Sequence, residues 1–129
     1  RGLGDVYKRQ IVYCERKYAK KGTRFYLTGT PLEMADYSVM SGTFNYAPDL
    51  TVKAWKDYLF TNLSSIWNLT RSSMIFNLMI SEEEKITSQS ISYIQKETVV
   101  NFCQQNFGET YESFSSKLPK EITFCVRKT

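Results

Sequence analysis

The chain has 129 residues, of which 42% are hydrophobic, and a formal net charge of +4. This length and apolar content suffice for the core of one domain and differ from those of a disordered chain. Histidine is absent, which excludes Ser-His-Asp or Cys-His catalysis and imidazole metal ligands within these residues. The three cysteines form no C-x-x-C pair, so the sequence predicts a cytoplasmic protein with neither a disulfide framework nor a metal site.

The first ten residues resemble the translated read-through of a sequencing adapter. We therefore expect residues 1–10 to be an artefactual extension and residues 11–129 to be the C-terminal part of one domain. Three of the 17 basic side chains and one of the 13 acidic ones lie in this extension, so the net charge is only +2 without it. The remaining basic clusters are small, and we expect no nucleic-acid partner.

The most apolar stretch of the chain runs from Leu59 to Ile80. Polar side chains interrupt it at Asn62, Asn68 and Arg71, so it falls short of the about 18 uninterrupted apolar residues of a membrane span. We expect no membrane partner.

The N-terminal third predicts one helix and two strands. A helix is expected over residues 11–21 and is closed by Gly22, because glycine tolerates the positive φ of a helix C-cap. Residues 25–28 and 37–41 have the composition of strands, and a Gly-Thr-Pro turn at residues 29–31 follows the first of them.

The middle of the chain predicts an amphipathic helix and a buried strand. Apolar positions recur at a spacing of three and four after Asp49 or Thr51, which is the period of a helix lying on a sheet. These positions are Val52, Trp55, Leu59, Leu63, Ile66 and Thr70. The nearly unbroken apolar run at residues 73–80 is typical of a strand buried on both faces in a parallel sheet. Trp55, Tyr58 and Trp67 are interpreted as core or helix-packing residues.

The C-terminal part predicts a polar loop, a helix and a hairpin. The loop covers residues 81–95, and the helix ends at Gly108. Residues 111–116 and 121–126 are expected to pair as a hairpin, because apolar and polar residues alternate in the second segment. Strands that alternate with helices and end in a hairpin indicate an α/β fold with an antiparallel addition at the sheet edge.

Several short segments follow one another in an order that resembles a known family. They are Ala35-Asp36-Tyr37, Ser41-Gly42-Thr43-Phe44-Asn45, a helix with Trp55 and Tyr58, Phe76-Asn77, Phe102-Cys103 and the terminal residues 121–128. In that order they resemble the C-terminal part of a class I S-adenosylmethionine-dependent methyltransferase over roughly residues 11–129. The resemblance implies an α/β, Rossmann-like sheet, of which this chain supplies family strands 3 to 7 and ends in an antiparallel hairpin. The first two strands would be missing, together with the Gly-rich cofactor loop and the acidic residue that holds the ribose.

The resemblance also implies the residues of a site. Residues bound to S-adenosylmethionine would be Ser41, Gly42, Thr43 and Phe44, after the fourth family strand, and Gly29 and Thr30, near the adenine. Residues that face the substrate would be Asn45, Asn77 and Tyr93. Thr30 stands where the family often has Asp. Each of these positions also has a purely structural alternative. Residues 41–45 would then be a plain strand-to-helix connection and residues 29–30 an ordinary turn. Asn77 would be a buried amide satisfied by the backbone.

The function implied is methyl transfer from S-adenosylmethionine to a small-molecule or glycan-type acceptor, with no general base that the sequence assigns. The chain alone is expected to bind the cofactor poorly, to be marginally stable and to aggregate through an exposed sheet. One alternative is a non-catalytic α/β interaction module that docks a protein through the aromatic surface from Trp55 to Trp67. Another is a Rossmann-like enzyme with a different nucleotide cofactor.

Overall fold

The computed structural model describes residues 3–129, with side chains from residue 6 onward. The chain divides into two compact units, one that ends at Leu32 and one that runs from Glu33 to Thr129. None of the helices in the described part of the chain is both long and apolar enough to cross a membrane.

The first unit contains one helix, α1 (Leu3–Tyr18). The helix predicted over residues 11–21 therefore exists, but it begins in the first ten residues and ends earlier. Gly22 has a φ of 86° and lies in a turn closed by a hydrogen bond from Thr23 N to Lys20 O (2.9 Å). The predicted need for positive φ at Gly22 is correct, although the glycine serves a turn beyond the helix instead of its C-cap.

The strand predicted over residues 25–28 does not form, so the expectation that family strand 3 is part of the sheet is wrong. These residues pair with no strand among residues 3–129. Tyr26 and Leu27 are 46% and 47% exposed. A four-residue segment without a neighbouring strand gains no ladder hydrogen bonds, which explains why strand-like composition alone does not produce a strand here.

The second unit is a mixed α/β structure with six strands and two helices. The strands are β1 (Ala35–Met40), β2 (Thr70–Met79), β3 (Lys85–Ile86), β4 (Ser92–Tyr93), β5 (Glu109–Ser113) and β6 (Glu121–Arg127). The helices are α2 (Val52–Asn68) and α3 (Lys96–Asn106). Four strands form a sheet in the order β1-β2-β6-β5, in which β1 and β2 are parallel and β6 is antiparallel to both β2 and β5. The α/β class and the terminal antiparallel hairpin are confirmed.

Helix α2 begins where the sequence predicts. The Thr51 side chain caps it by accepting a hydrogen bond from Ala54 N (3.1 Å). Its buried stripe consists of Trp55, Leu59, Leu63 and Ile66. Trp55 is only 1% exposed, so it is a core residue and is not part of an aromatic docking surface. Tyr58, in contrast, is 54% exposed.

The expectation that β2 is buried on both faces is wrong for one of them. Met74, Phe76 and Leu78 are fully or almost fully buried. The alternate residues, such as Ile75, are only half-buried. We call the face formed by Met74, Phe76, Leu78, Phe124 and Val126 the covered face, because these side chains share one core with the buried residues of α2 and α3.

The opposite face of the same sheet, the open face, contains apolar residues at register positions that match across all four strands. They are Tyr37 and Val39 in β1, Ile75 in β2, Cys125 in β6 and Tyr111 in β5. Tyr37 and Val39 are 64% and 66% exposed. In this unit both helices contribute their buried side chains to the covered face, which explains why the apolar run of β2 is not buried on both sides.

The region after β2 differs from the prediction in three details. The loop over residues 81–95 contains the short antiparallel pair β3–β4. Strand β5 ends at Ser113, so residues 114–120 connect the terminal hairpin. Helix α3 is capped by Phe107, and Gly108 follows it. A Cβ added at Gly108 would lie 2.5 Å from the Arg127 carbonyl oxygen, so close approach to β6, not positive φ, requires this glycine.

Candidate active site at the carboxyl ends of β1 and β2

The loop after β1 lies at the edge where the two parallel strands end. Residues 41–45 follow Met40, which pairs with Phe76 of β2. Gly42 has a φ of 67°, a left-handed conformation that glycine adopts without strain. Ligands of open α/β sheets bind at the carboxyl ends of parallel strands. The loop is thus a candidate site by its position in the fold.

Asn77 connects this loop to two strands. Its Oδ1 accepts a hydrogen bond from Gly42 N (2.6 Å), while its Nδ2 donates to Ser41 Oγ (3.4 Å) and to Glu121 Oε1 (3.1 Å). A carboxylate only accepts hydrogen bonds, so Glu121 holds the NH₂ group of the amide on its own side. That orientation directs Oδ1 toward Gly42. Asn77 and Glu121 therefore fix the conformation of the loop.

Phe44 anchors the loop in the core. Its side chain is 3% exposed. Its carbonyl oxygen accepts hydrogen bonds from Trp55 Nε1 (2.9 Å) and Ser92 Oγ (3.0 Å), both buried. Phe44 thus acts as a fixed attachment between the β1 loop, helix α2 and strand β4, whereas its neighbours Ser41, Gly42 and Thr43 are exposed.

Asn45 presents a buried polar atom with no partner. Its Oδ1 is shielded from solvent and accepts no hydrogen bond from the described residues. Its backbone carbonyl is satisfied by Ser92 N (3.0 Å). Leaving a buried acceptor unsatisfied costs about 1–3 kcal/mol. Because Oδ1 is shielded from solvent in this conformation, a ligand donor reaches it only if the Asn45 side chain turns outward.

Tyr93 borders a cavity beside the end of β2. The cavity has a volume of about 250 Å³ and is lined by Ile80, Ser81, Lys85, Thr87, Tyr93 and Lys120. The Lys85 ammonium lies 5.5 Å from the centre of the Tyr93 ring, within cation–π distance. Ser92, the neighbour of Tyr93, contacts Phe44 and Asn45. Tyr93 is thus connected through one residue to the β1 loop.

A half-buried ion pair holds the segment between β2 and α3 in place. Lys56 Nζ and Glu84 Oε1 are 2.7 Å apart, and Glu84 Oε2 accepts a hydrogen bond from Gln95 N (3.2 Å). Burial alone would raise the pKa of Glu84, but the hydrogen bonds from Lys56 and Gln95 outweigh it and lower that pKa. Glu84 remains ionised near neutral pH and connects α2 to the start of α3.

Gly29 and Thr30 belong to the first unit. The Thr28 hydroxyl closes this turn, because its Oγ1 donates to Thr30 O (2.8 Å) and accepts from Thr30 N (3.3 Å). Gly29 also borders an open cavity of about 540 Å³, whose other lining residues within the first unit include Tyr7, Ile11 and Tyr26. The hydrogen-bonded bend at residues 28–30 agrees with the predicted turn except that it begins one residue earlier.

The structure thus connects most of the predicted site residues of the second unit by hydrogen bonds. Ser41, Gly42 and Asn77 form one cluster, and Asn45 and Phe44 join β4 through Ser92. Glu121 was not predicted. It enters the cluster because the β2–β6 register pairs it with Met79, two residues from Asn77. The predicted hairpin gave no information about the register of β6 against β2, so no signal in the sequence pointed to Glu121.

The chemistry available at this edge consists of amide, hydroxyl, carboxylate and ammonium groups. Within the part of the chain that the structure describes, no three carboxylate or thiol side chains cluster closely enough to hold a metal ion. The chain matches no family model, no curated protein and no solved structure.

Proposed function

We propose that this chain is part of a class I S-adenosylmethionine-dependent methyltransferase that acts on a small-molecule or glycan-type acceptor. The single observation that carries the proposal is the β1 loop. Residues 41–45, which resemble the family segment after its fourth strand, lie at the carboxyl edge of a parallel strand pair and are held there by Asn77. The order of a parallel pair followed by an antiparallel terminal hairpin also supports it.

The loop offers room for a ligand where the proposal requires it. A Cβ added at Gly42 would meet no described atom within 4 Å, so the exposed backbone is open to close approach. Asn45, three residues further along the loop, has a buried Oδ1 without a partner among the described residues, and this acceptor becomes available to a ligand if the side chain turns outward. These two features fit a polar ligand such as the methionine part of the cofactor together with an acceptor hydroxyl.

S-adenosylmethionine, when bound, would supply an activated methyl group on a sulfonium leaving group. The protein then mainly has to position the reactants for in-line displacement. Asn77 and Glu121 keep the Gly42 backbone in one conformation, and Asn45, once its side chain turns outward, would accept a hydrogen bond at Oδ1 from an acceptor hydroxyl. Phe44 holds the loop on the core.

Calorimetric titration with S-adenosylmethionine tests this function. The protein to use is the product of the longest reading frame that contains residues 11–129, since the resemblance puts the Gly-rich loop before them. We expect saturable binding, weakened about tenfold or more by Gly42→Ala. Gly22→Ala is the matched control, because Gly22 also has positive φ and no crowding, so a substitution there costs the same roughly 1–2 kcal/mol of backbone strain.

A non-catalytic interaction module is the second candidate, and the exposed apolar residues of the open face favour it. The same titration separates the two. If the longer protein binds no S-adenosylmethionine, or if both glycine variants weaken binding equally through loss of folding, the methyltransferase proposal loses its support and the interaction module becomes the better explanation.

A further inference from the structure

The cavity beside Tyr93 is lined almost entirely by hydrogen-bond donors. Lys85 and Lys120 supply two ammonium groups. The hydroxyls of Ser81 and Thr87 already accept backbone hydrogen bonds, from Glu83 N (3.3 Å) and Ile91 N (3.1 Å) respectively. Their own hydrogens therefore remain available to donate. A ligand that only accepts hydrogen bonds, and carries negative charge, is complementary to such a lining.

Two of the three glutamates of the same segment have contacts outside this cavity. Glu84 is paired with Lys56. Glu82 lines a different cavity, together with Gln95 and Lys96. The Tyr93 cavity has no carboxylate among its lining residues. The two lysines are thus the charged side chains among its lining residues, in a segment that contains three consecutive glutamates.

The backbone of each lysine is held in place by hydrogen-bonded structure. The ammonium of Lys85 lies over the Tyr93 ring, and Lys85 pairs with Tyr93 in the β3–β4 ladder. The backbone carbonyl of Lys120 accepts a hydrogen bond from Ile80 N (2.7 Å), which fixes the start of β6 to the end of β2. The cavity is thus held by three hydrogen-bonded segments, and its lining residue Lys120 directly precedes Glu121, the residue that orients Asn77.

We propose that this cavity binds the anionic group of the methyl acceptor, which makes the acceptor an acidic sugar that carries a carboxylate or a phosphate. The identification of the ligand as the methyl acceptor rests on the proposed function, whereas the anion site itself follows from the residues that line the cavity. Its volume of about 250 Å³ is below the roughly 300–1,000 Å³ of sites for drug-sized ligands. It therefore suits one charged group with part of a sugar ring, next to the Tyr93 aromatic side chain.

Binding of three small probes to the full chain tests the proposal without any cofactor. The probes are D-glucuronate, glucose 6-phosphate and the neutral methyl glucoside, titrated by NMR at low and at physiological salt. We expect saturable shifts at residues around Tyr93 with at least one of the two anions, and none with the neutral sugar. The two anionic probes distinguish a carboxylate from a phosphate ligand.

The variant Lys85→Gln/Lys120→Gln should weaken binding of the anion about tenfold or more. Lys53→Gln/Lys128→Gln is the matched control, because it removes the same charge from an exposed helix position and from the opposite end of β6. Equal losses in both double variants would mean general electrostatic attraction and would overturn the site. Binding of the neutral sugar with equal strength, or no binding of either anion, would overturn it as well.

Failure of this inference and failure of the proposed function have different signatures. If the longer protein binds S-adenosylmethionine but neither anion binds the chain, the acceptor is not an acidic sugar and the methyltransferase proposal stands. If an anion binds at Lys85 and Lys120 but S-adenosylmethionine does not bind, the cavity is an anion site of a protein with another function.

Discussion

The two faces of the four-stranded sheet come from alternate residues of the same strands, yet their surroundings are opposite. On the covered face, Phe76 and Phe124 stack with ring centres 5.4 Å apart and are at most 1% exposed. On the open face, Val39 pairs in register with Ile75, and Val39 is 66% exposed. Strands with apolar residues on both faces normally carry helices on both sides. The apolar pattern of a strand therefore predicts which side chains burial would stabilise. It does not predict which of them are buried within this unit.

The contrast also concerns what each face can do. The covered face has the packing of a core, where a change of one side chain is felt as a loss of contacts. The open face combines exposed apolar residues with the polar pair of Asn77 and Glu121 near the carboxyl ends of β1 and β2. Exposed apolar surface of this kind marks a place where further protein or a ligand binds. The largest difference between the faces should appear in their cysteines.

Cys103 and Cys125 should differ most in reactivity. Cys103 is fully buried under the covered face, and burial raises its pKa from 9.0 to about 12. Because each pKa unit is a factor of ten in thiolate, Cys103 should hold roughly a thousandfold less thiolate at pH 8 than an ordinary thiol. Cys125 is half-buried on the open face. Site-resolved mass spectrometry after iodoacetamide treatment should find Cys125 labelled long before Cys103.

Denaturant supplies the control for the cysteines, since both should react alike once the chain is unfolded. Equal labelling rates in the folded protein would contradict the distinction between the two faces. The same result would place Cys103 in a region that opens readily.

Truncation of one side chain on each face should give the next largest difference, which is in the free energy of unfolding. Phe124→Ala removes a fully buried ring and should lower the free energy of unfolding by about 3–5 kcal/mol, whereas Val39→Ala should change it by less than about 0.5 kcal/mol. Urea denaturation followed by circular dichroism measures both. Phe124→Leu keeps most of the volume, with a cost of about 1 kcal/mol, and remains measurable if the alanine variant does not fold. Comparable losses at Phe124 and Val39 would show that something covers both faces.

Much of this architecture is predictable from the sequence, because the signals are local. The stripe from Trp55 to Ile66 and the Thr51 cap predict α2, and the alternation in residues 121–126 predicts β6. The position of the β1 loop after a strand is predictable in the same way, whereas its role as a site stays a prediction that rests on the resemblance. The contacts that organise the site are not local: Asn77 reaches Gly42, 35 residues away, and Glu121 reaches Asn77, 44 residues away.

The absence of the predicted strand at residues 25–28 has the same physical cause, because strand formation also depends on contacts that are not local in the sequence. Phe25 and its neighbours have the right composition, but a strand is defined by its partner, and composition says nothing about whether one is present. Tyr93 was assigned to a loop and lies in a two-residue ladder with Lys85, because a pair of this length has too few residues for an alternation signal.

Gly108→Ala should have an intermediate effect on the covered face. The added Cβ would lie 2.5 Å from the Arg127 carbonyl oxygen, a backbone atom that cannot move without shifting β6. Such overpacking costs about 1–3 kcal/mol. Thermal unfolding of Gly108→Ala beside Gly29→Ala checks this, because Gly29 has neither a crowded Cβ position nor a positive φ. A Gly108 variant as stable as the Gly29 variant would mean that the junction of α3 and β5 adapts to the extra carbon.

The smallest effect on stability should come from Tyr37→Ser on the open face, because its side chain is 64% exposed and its loss removes few contacts. We expect a change within about 0.5 kcal/mol. The same substitution should clearly reduce self-association in sedimentation velocity, since it interrupts the exposed apolar residues that run from β1 to Tyr111 of β5. Tyr46→Ser is the matched control, because Tyr46 is 65% exposed and lies outside the four-stranded sheet. If the two variants associate equally, surface apolarity in general drives association; if Tyr37→Ser alone lowers stability by more than 1 kcal/mol, the open face is a buried interface in solution.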